Sequence, residues 1–251
     1  SGTFQSENLD VGANSNVATI SGDFGSRGTI VISSGTATFS VAQKGDIGVG
    51  CYVSSSNVSG YIKEMTDSTH AKIITATGGT HANVSSEALG AIYHPFASLS
   101  AAAAGSGALL GYTDLVTNTT NLYWPCYGAT ADSTSASVSA DYTDSSDYTI
   151  TLYSVTGGTE SINNWRHNGV WSDSKFKTVL SSGSVVWWNF NPGYMRVIGI
   201  QCDAGTYSWA TCMGFSNGGQ YHYLDACIIK SSGGANTTGI SAYGGITITN
   251  S

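Results

Sequence analysis

The sequence predicts an all-β protein, a small β-domain followed by a solenoid-like body of short parallel strands. Three observations carry that expectation. Thr, Val, Ile and Tyr are common, whereas strong helix formers are scarce, with six Lys and three Met. Apolar and polar residues alternate over short runs, which Gly, Ser and Asn interrupt about every ten residues. Ser (37), Thr (28) and Gly (32) together make up about 39% of 251 residues, while 10% are charged and three are Pro.

This composition excludes several classes. With 41% apolar and 11% aromatic residues, the chain is too apolar for a disordered linker. Its charge content lies far below the roughly 25% of an ordinary cytosolic domain. A net charge of −7 with nine Lys plus Arg argues against a phosphate-binding surface, so nucleic acid is not an expected partner. No apolar run reaches the about 18 residues of a membrane span; the longest, 101–110, is short and interrupted by glycine. The sequence opens without Met or a charged-plus-apolar leader. A mature chain from which a leader has been removed, or a fragment of a longer one, is therefore expected.

Each element has its own local signal. Residues 29–32 and 36–40 flank Ser33-Ser34-Gly35 and read as a hairpin. Residues 46–53, 60–63 and 71–77 read as further short strands. Residues 98–104 form the single helical candidate, capped by Ser98 and ended by Gly105. In the second half, 148–153 alternates cleanly, and 185–188, 195–202, 226–229 and 246–249 read as short apolar strands. The irregular spacing of the last four fits coils of a parallel solenoid with variable loops. It also fits a β-sandwich.

The most distinctive stretch is Arg166-His167-Asn168-Gly169-Val170-Trp171-Ser172-Asp173-Ser174-Lys175-Phe176. Tyr194-Met195-Arg196-Val197-Ile198-Gly199-Ile200-Gln201 and Ala226-Cys227-Ile228-Ile229-Lys230 lie downstream of it. Together they resemble the entry into the right-handed parallel β-helix found in large surface proteins of bacteria and phages. The resemblance spans roughly residues 140–251. It implies a fold and a surface setting and carries no catalytic residues. The chain as a whole reads as an arm (1–24), a small β-domain (25–110) and a β-helix-like domain (111–251). Such helices run for many coils, whereas about three are legible here.

The last coil of a β-helix exposes unpaired backbone groups and an apolar layer, which must be capped, charged or paired. The final residues, with Ile246 and Ile248, offer no capping helix, no Pro and no charge. The polar segment 1–20, with Val11, Val17 and Ile20, could supply a strand to another subunit's edge. Such a heterologous contact generates a filament unless it closes. The expected function is an extracellular structural subunit of a homopolymeric filament or surface fibre. The alternative is that further residues of a longer chain supply the cap.

Five cysteines fit no zinc motif. In a secreted protein Cys202 and Cys212 could close one short disulfide loop, and a leftover cysteine reads as a buried apolar residue. Asn57, Asn83, Asn118 and Asn236 begin N-x-S/T sequons. They make possible glycan sites, although a chain rich in Ser, Thr and Asn produces such strings by chance. No cofactor is expected, because there is neither a phosphate-binding glycine loop ending in Lys-Ser/Thr nor a His-Glu-x-x-His motif.

Catalytic signals are weak. Gly214-Phe215-Ser216-Asn217-Gly218 matches a nucleophile elbow in letters, but Gly219-Gln220-Tyr221-His222 does not look like the helix start an elbow requires. A polysaccharide lyase or hydrolase would need clustered carboxylates and a base, for which Asp203, Asp225, Arg196 and Lys230 are the candidates. Trp165, Trp171, Trp187, Trp188 and Tyr194 crowd within thirty positions. Adjacent Trp187 and Trp188 point to opposite faces of a strand. They read as interface anchors first and as a carbohydrate-stacking platform second.

Overall fold

The fold is that of a computed structural model of the chain, described for residues 9–10, 28–76, 78–138, 142–182, 186–216, 221–231 and 233–251. After β1 (Leu9–Asp10) come β2 (Thr29–Ser33), β3 (Thr36–Phe39), β4 (Tyr52–Ser54), β5 (Ser59–Asp67), β6 (His70–Ile74), β7 (Val84–Ala88) and β8 (Ala91–Tyr93). Strands β2 to β8 form one antiparallel sheet in the order β7-β2-β3-β6-β5-β4-β8, curled into a half-barrel. The predicted β2–β3 hairpin closes through Ser34 and Gly35, both at positive φ (50° and 76°). Two such residues match the right-handed twist of the strands they join. Alternation then buries Ile30, Ile32, Ala37 and Phe39 on one face. Residues 46–51, expected as strand, are irregular instead: Gly48 bridges to Ser161 far along the chain. A Cβ at Gly48 would lie 2.3 Å from the Glu160 carbonyl oxygen, so only glycine allows this approach.

One helix, α1 (Leu99–Leu110), comes next. Ser98 caps it, its hydroxyl accepting from the Ala101 N–H at 3.1 Å. The helix does not stop at Gly105 as expected. It runs on to Gly111, whose left-handed φ of 83° suits a terminating residue. Gly105 is used for close packing, since a Cβ there would lie 2.4 Å from the Phe96 ring. Leu99, Ala102 and Ala103 share one apolar cluster with Leu122, Trp124 and Val138. The helix therefore packs with the solenoid.

The remaining strands wind as a solenoid of about four turns. They are β9 (Leu122–Cys126), β10 (Ala136–Val138), β11 (Ile150–Ser154), β12 (Lys177–Val179), β13 (Val186–Phe190), β14 (Met195–Ile198), β15 (Gln201–Asp203), β16 (Thr211–Phe215), β17 (Tyr221–Asp225), β18 (Ile228–Lys230), β19 (Thr238–Ala242) and β20 (Gly245–Thr249). Three parallel sheets result, β1-β9-β11-β14-β17-β20, β10-β13-β16-β19 and β12-β15-β18. Parallel pairing throughout these three sheets excludes the sandwich, whose sheets are antiparallel. Segment 166–176, read as the entry to the helix, lies inside the second turn, because the first begins at β9.

Residues 195–202, expected as one strand, are two strands with a corner at Gly199. The corner recurs in the next turns: Gly199, Ala226 and Asn250 each come directly after strand residues in register and have φ of 67°, 49° and 51°. The corner amide reaches the next turn, Gly199 N–H to Asp225 O and Ala226 N–H to Thr249 O. Inward residues stack as ladders: Trp124, Leu152, Val197, Leu224 and Ile248 form one. Another stacks Val138, Phe190 and Phe215, with the last two rings 5.1 Å apart.

Turn lengths vary, because register partners on the first sheet are separated by 28, 45, 27 and 24 residues. The longest turn carries the segment that joins the two parts of the molecule. The Ser161 hydroxyl donates to Ile47 O, Asn163 Nδ2 donates to Gly45 O, and Ile162 packs into the half-barrel core.

Asp132 ties α1 to the first turn. It is buried and accepts from Leu99 N–H (2.7 Å), Thr134 N–H (2.9 Å) and the Thr134 hydroxyl (2.6 Å). Asp132→Ala would strand three donors and is expected to lower unfolding stability by about 2–3 kcal/mol, read from a urea midpoint.

Candidate functional site

The first and last described turns of the solenoid differ. At the first turn, α1 packs against β9 and β10, and β1 pairs with β9 at Leu122 and Tyr123. At the last turn, β20 pairs with β17 on one side and with no described strand on the other. The inward ladder shows the contrast. Trp124, Leu152, Val197 and Leu224 are fully buried, whereas the next rung, Ile248, is 49% exposed. Ile246 ends the neighbouring ladder of Leu122, Ile150, Met195 and His222, and is half-buried. Both residues expected at an interface thus sit on the bare end.

The other expected interface residues fare differently. Val11, Val17 and Ile20 lie outside the described residues. Trp187 lies in β13, but its side chain is not among those described. Trp188 corrects the expectation: it is a core residue, buried with Phe190, their rings 6.1 Å apart, because alternation turns 188 and 190 inward and leaves Asn189 half-buried. Trp165 packs against the core, and Trp171 lies under the Lys230 ammonium at 3.7 Å. Among the described residues, the exposed aromatics are ones the sequence did not single out: Tyr207, Trp209, Tyr221 and Tyr243. Nothing in local pattern separates a loop tyrosine facing solvent from one facing the core.

The candidate catalytic residues are dispersed. Asp203 and Lys230 pair at 3.2 Å on one sheet. Arg196 and Asp225 lie on another. Arg196 covers the Tyr223 ring, and Asp225 accepts from Thr249 and Asn250, which hold its carboxyl below the usual range. The Ser216 hydroxyl donates to Asn189, not to an imidazole.

One thiol–imidazole pair was not legible from the sequence, since Cys51 and His94 are 43 positions apart. Cys51 Sγ lies 3.6 Å from His94 Nδ1. Both are fully buried by their surroundings, which push the thiol up to about 12 and the imidazole down to about 3. The pair is a buried thiol–imidazole hydrogen bond, and burial opposes the thiolate that a nucleophile needs.

All five cysteines are buried free thiols. Cys202 and Cys212 are hydrogen-bonded neighbours, and burial raises the Cys202 pKa well above its ordinary value. The four sequon asparagines are exposed, with Asn57 donating to Glu87 and Asn83 accepting from Ser34 N–H. Among the described residues, no group of three or more His, Cys, Asp or Glu could hold a metal ion. Among them, too, no helix is long and apolar enough to cross a membrane.

No protein-family model, curated protein or solved structure matches the chain. The fold therefore defines the class by itself: an all-β protein that joins an antiparallel half-barrel to a parallel β-solenoid. Among the described residues, its inward ladders run to Ile246, which is half-buried, and to Ile248, which is 49% exposed.

Proposed function

We propose that the chain is an extracellular structural subunit of a homopolymeric filament or of a cell- or virion-surface fibre, linked head to tail. The observation that carries this reading is the bare last turn, with Ile246 and Ile248 at the ends of otherwise buried ladders. Parallel geometry supports it. β20 is one edge of the six-stranded sheet and β1 is the other. Stacking two copies continues that sheet as β17-β20, then the neighbour's β1 and β9. The arm strand lies between copies, and the exposed Ile248 is covered. An exposed strand edge with an apolar rung favours pairing.

Purified chain is expected to form linear assemblies on concentration, seen by electron microscopy. Ile248→Asp, which places a charge on the contact, should leave monomers with an unchanged circular dichroism spectrum. Deleting residues 1–20 should have the same effect on assembly. Wild-type monomers that persist on concentration would overturn the reading, and normal assembly of the deletion would exclude the arm as the linking strand.

The same setting supports glycans on Asn57, Asn83, Asn118 and Asn236 and a bridge between Cys202 and Cys212. Intact mass of the native secreted chain checks both: hexose-containing increments for the first, loss of two hydrogens for the second. A second reading, polysaccharide binding, is favoured by the exposed rings of Tyr207, Trp209, Tyr221 and Tyr243 around the last turns, since exposed aromatic faces stack on sugars.

A further inference from the structure

A second feature lies on the half-barrel, away from the solenoid end. A cavity of about 410 Å³ opens between the β2–β3 turn, β5, β6 and the bend at 78–80. That volume falls within the about 300–1,000 Å³ of small-molecule pockets. Ile73 and Ile74 line its β6 side, neighbours whose side chains turn into two different core clusters, and Ser34, Thr36 and Thr80 line it with hydroxyls. Two of the six lysines of this acidic chain, Lys63 and Lys72, also line it.

The two lysines are not equivalent. Lys72 is paired with Glu64 at 2.6 Å and contributes little net charge. Lys63 is half-buried and has no hydrogen-bond or ion-pair partner among the described residues. The pairing of β5 with β6 explains its direction. Ile62 pairs with Ile73 and Glu64 with Lys72, so Lys63 is the extra residue of a β-bulge. A bulge turns its extra side chain out of the regular alternation and is often found beside binding sites. The opposite wall is set by close packing of the hairpin tip on the bend: a Cβ at Gly35 would lie 2.8 Å from Thr80 Cγ2. The bend is held by the Thr75 N–H to the Gly79 carbonyl (2.8 Å) and by the Gly79 N–H to the Thr75 hydroxyl (3.0 Å).

We propose that this cavity binds a carboxylate-bearing monosaccharide unit, with the carboxylate on Lys63 and the ring hydroxyls on Ser34, Thr36 and Thr80. One uncompensated ammonium matches one carboxylate. The three side-chain hydroxyls have no hydrogen-bond partner among the described residues and match a polyol. The site is independent of the assembly surface.

The test is calorimetric titration of the full chain with sodium glucuronate, glucose and inorganic phosphate in turn. Glucuronate is expected to bind saturably, with glucose and phosphate each weaker by about tenfold or more, the loss of one charge-assisted contact or of the polyol contacts. Lys63→Met should weaken glucuronate by a similar factor while leaving the circular dichroism spectrum unchanged. No saturable glucuronate binding would overturn the proposal. Phosphate binding as tight as glucuronate would reduce the site to a simple anion site and overturn the saccharide assignment. Unchanged affinity in folded Lys63→Met would overturn the role of Lys63. The ligand comparison needs no variant and decides the case even if that variant fails to fold.

Discussion

Lowering the pH from 7 towards 4 is expected to destabilise the protein by an amount on the order of a few kcal/mol, with His94 as the main source. Its ring is 3% exposed, lies 4.4 Å from the Tyr127 ring and touches Cys51 Sγ. Nε2 has no partner among the described residues. Burial pushes the imidazole down to about 3, against a smaller opposing contribution from the Asp46 backbone. The unfolded chain therefore binds this proton near pH 6.5, and the folded chain does so only near 3. Stability is complete above about 6.5 and is lost as the pH falls through that window.

His167 is depressed by burial and adds in the same direction. Asp67, Asp114 and Asp225 have lowered pKa values because they accept hydrogen bonds, so they withdraw stability only below about 4. Asp144 opposes them, since burial raises its pKa and its contribution is lost as the pH rises. His94→Phe should remove most of the slope between about pH 6.5 and 4 in urea unfolding. An unchanged slope would show that His94 is not the group responsible.

Trp124→Ala is expected to cost about 3–5 kcal/mol, a large part of the stability of a domain this size. The indole is fully buried on the inward face of β9, beside Leu152 of the next turn. Its Nε1–H donates to the Ser106 hydroxyl at 2.9 Å, and that hydroxyl donates to Ala102 O at 2.6 Å within α1. The residue thus fills the first turn and fastens the helix that covers it. Ser106→Ala separates the two effects: it keeps the volume but leaves a buried N–H unpaired, for about 1–3 kcal/mol. Urea midpoints of the two variants check the order. Equal losses would mean that the cavity contributes nothing beyond the hydrogen bond.

The legible parts of the fold are those set by neighbours in the chain. Ser33-Ser34-Gly35 between two alternating runs marks the hairpin, and Ser34 and Gly35 close it with positive φ at both central positions. Residues 148–153 read as a strand, and β11 at Ile150–Ser154 has all five residues buried, so the alternation in sequence does not separate two faces. Gly105 misled, because a glycine that ends a helix and one that admits Phe96 look alike until the partner is known. Residues 246–249 were legible as a short apolar strand, whereas the exposure of Ile248 at the end of a buried ladder appears only with the neighbouring turn in place. The Lys63 pocket was not, because a bulge exists only relative to a partner strand.

Sequence alone determined the all-β class, through β-branched and aromatic residues in short runs between turn formers. It also determined the low charge that leaves Lys63 conspicuous. Only the tertiary structure decided which strand lies beside which. Turns of 28, 45, 27 and 24 residues have no common period, so no local pattern can encode their register. The register comes from inward ladders that fill one interior, such as Trp124 on Leu152 on Val197 on Leu224. It also comes from corner amides that find a carbonyl only in the next turn. The Ser, Thr and Gly that dominate the composition are what such corners and outward faces require.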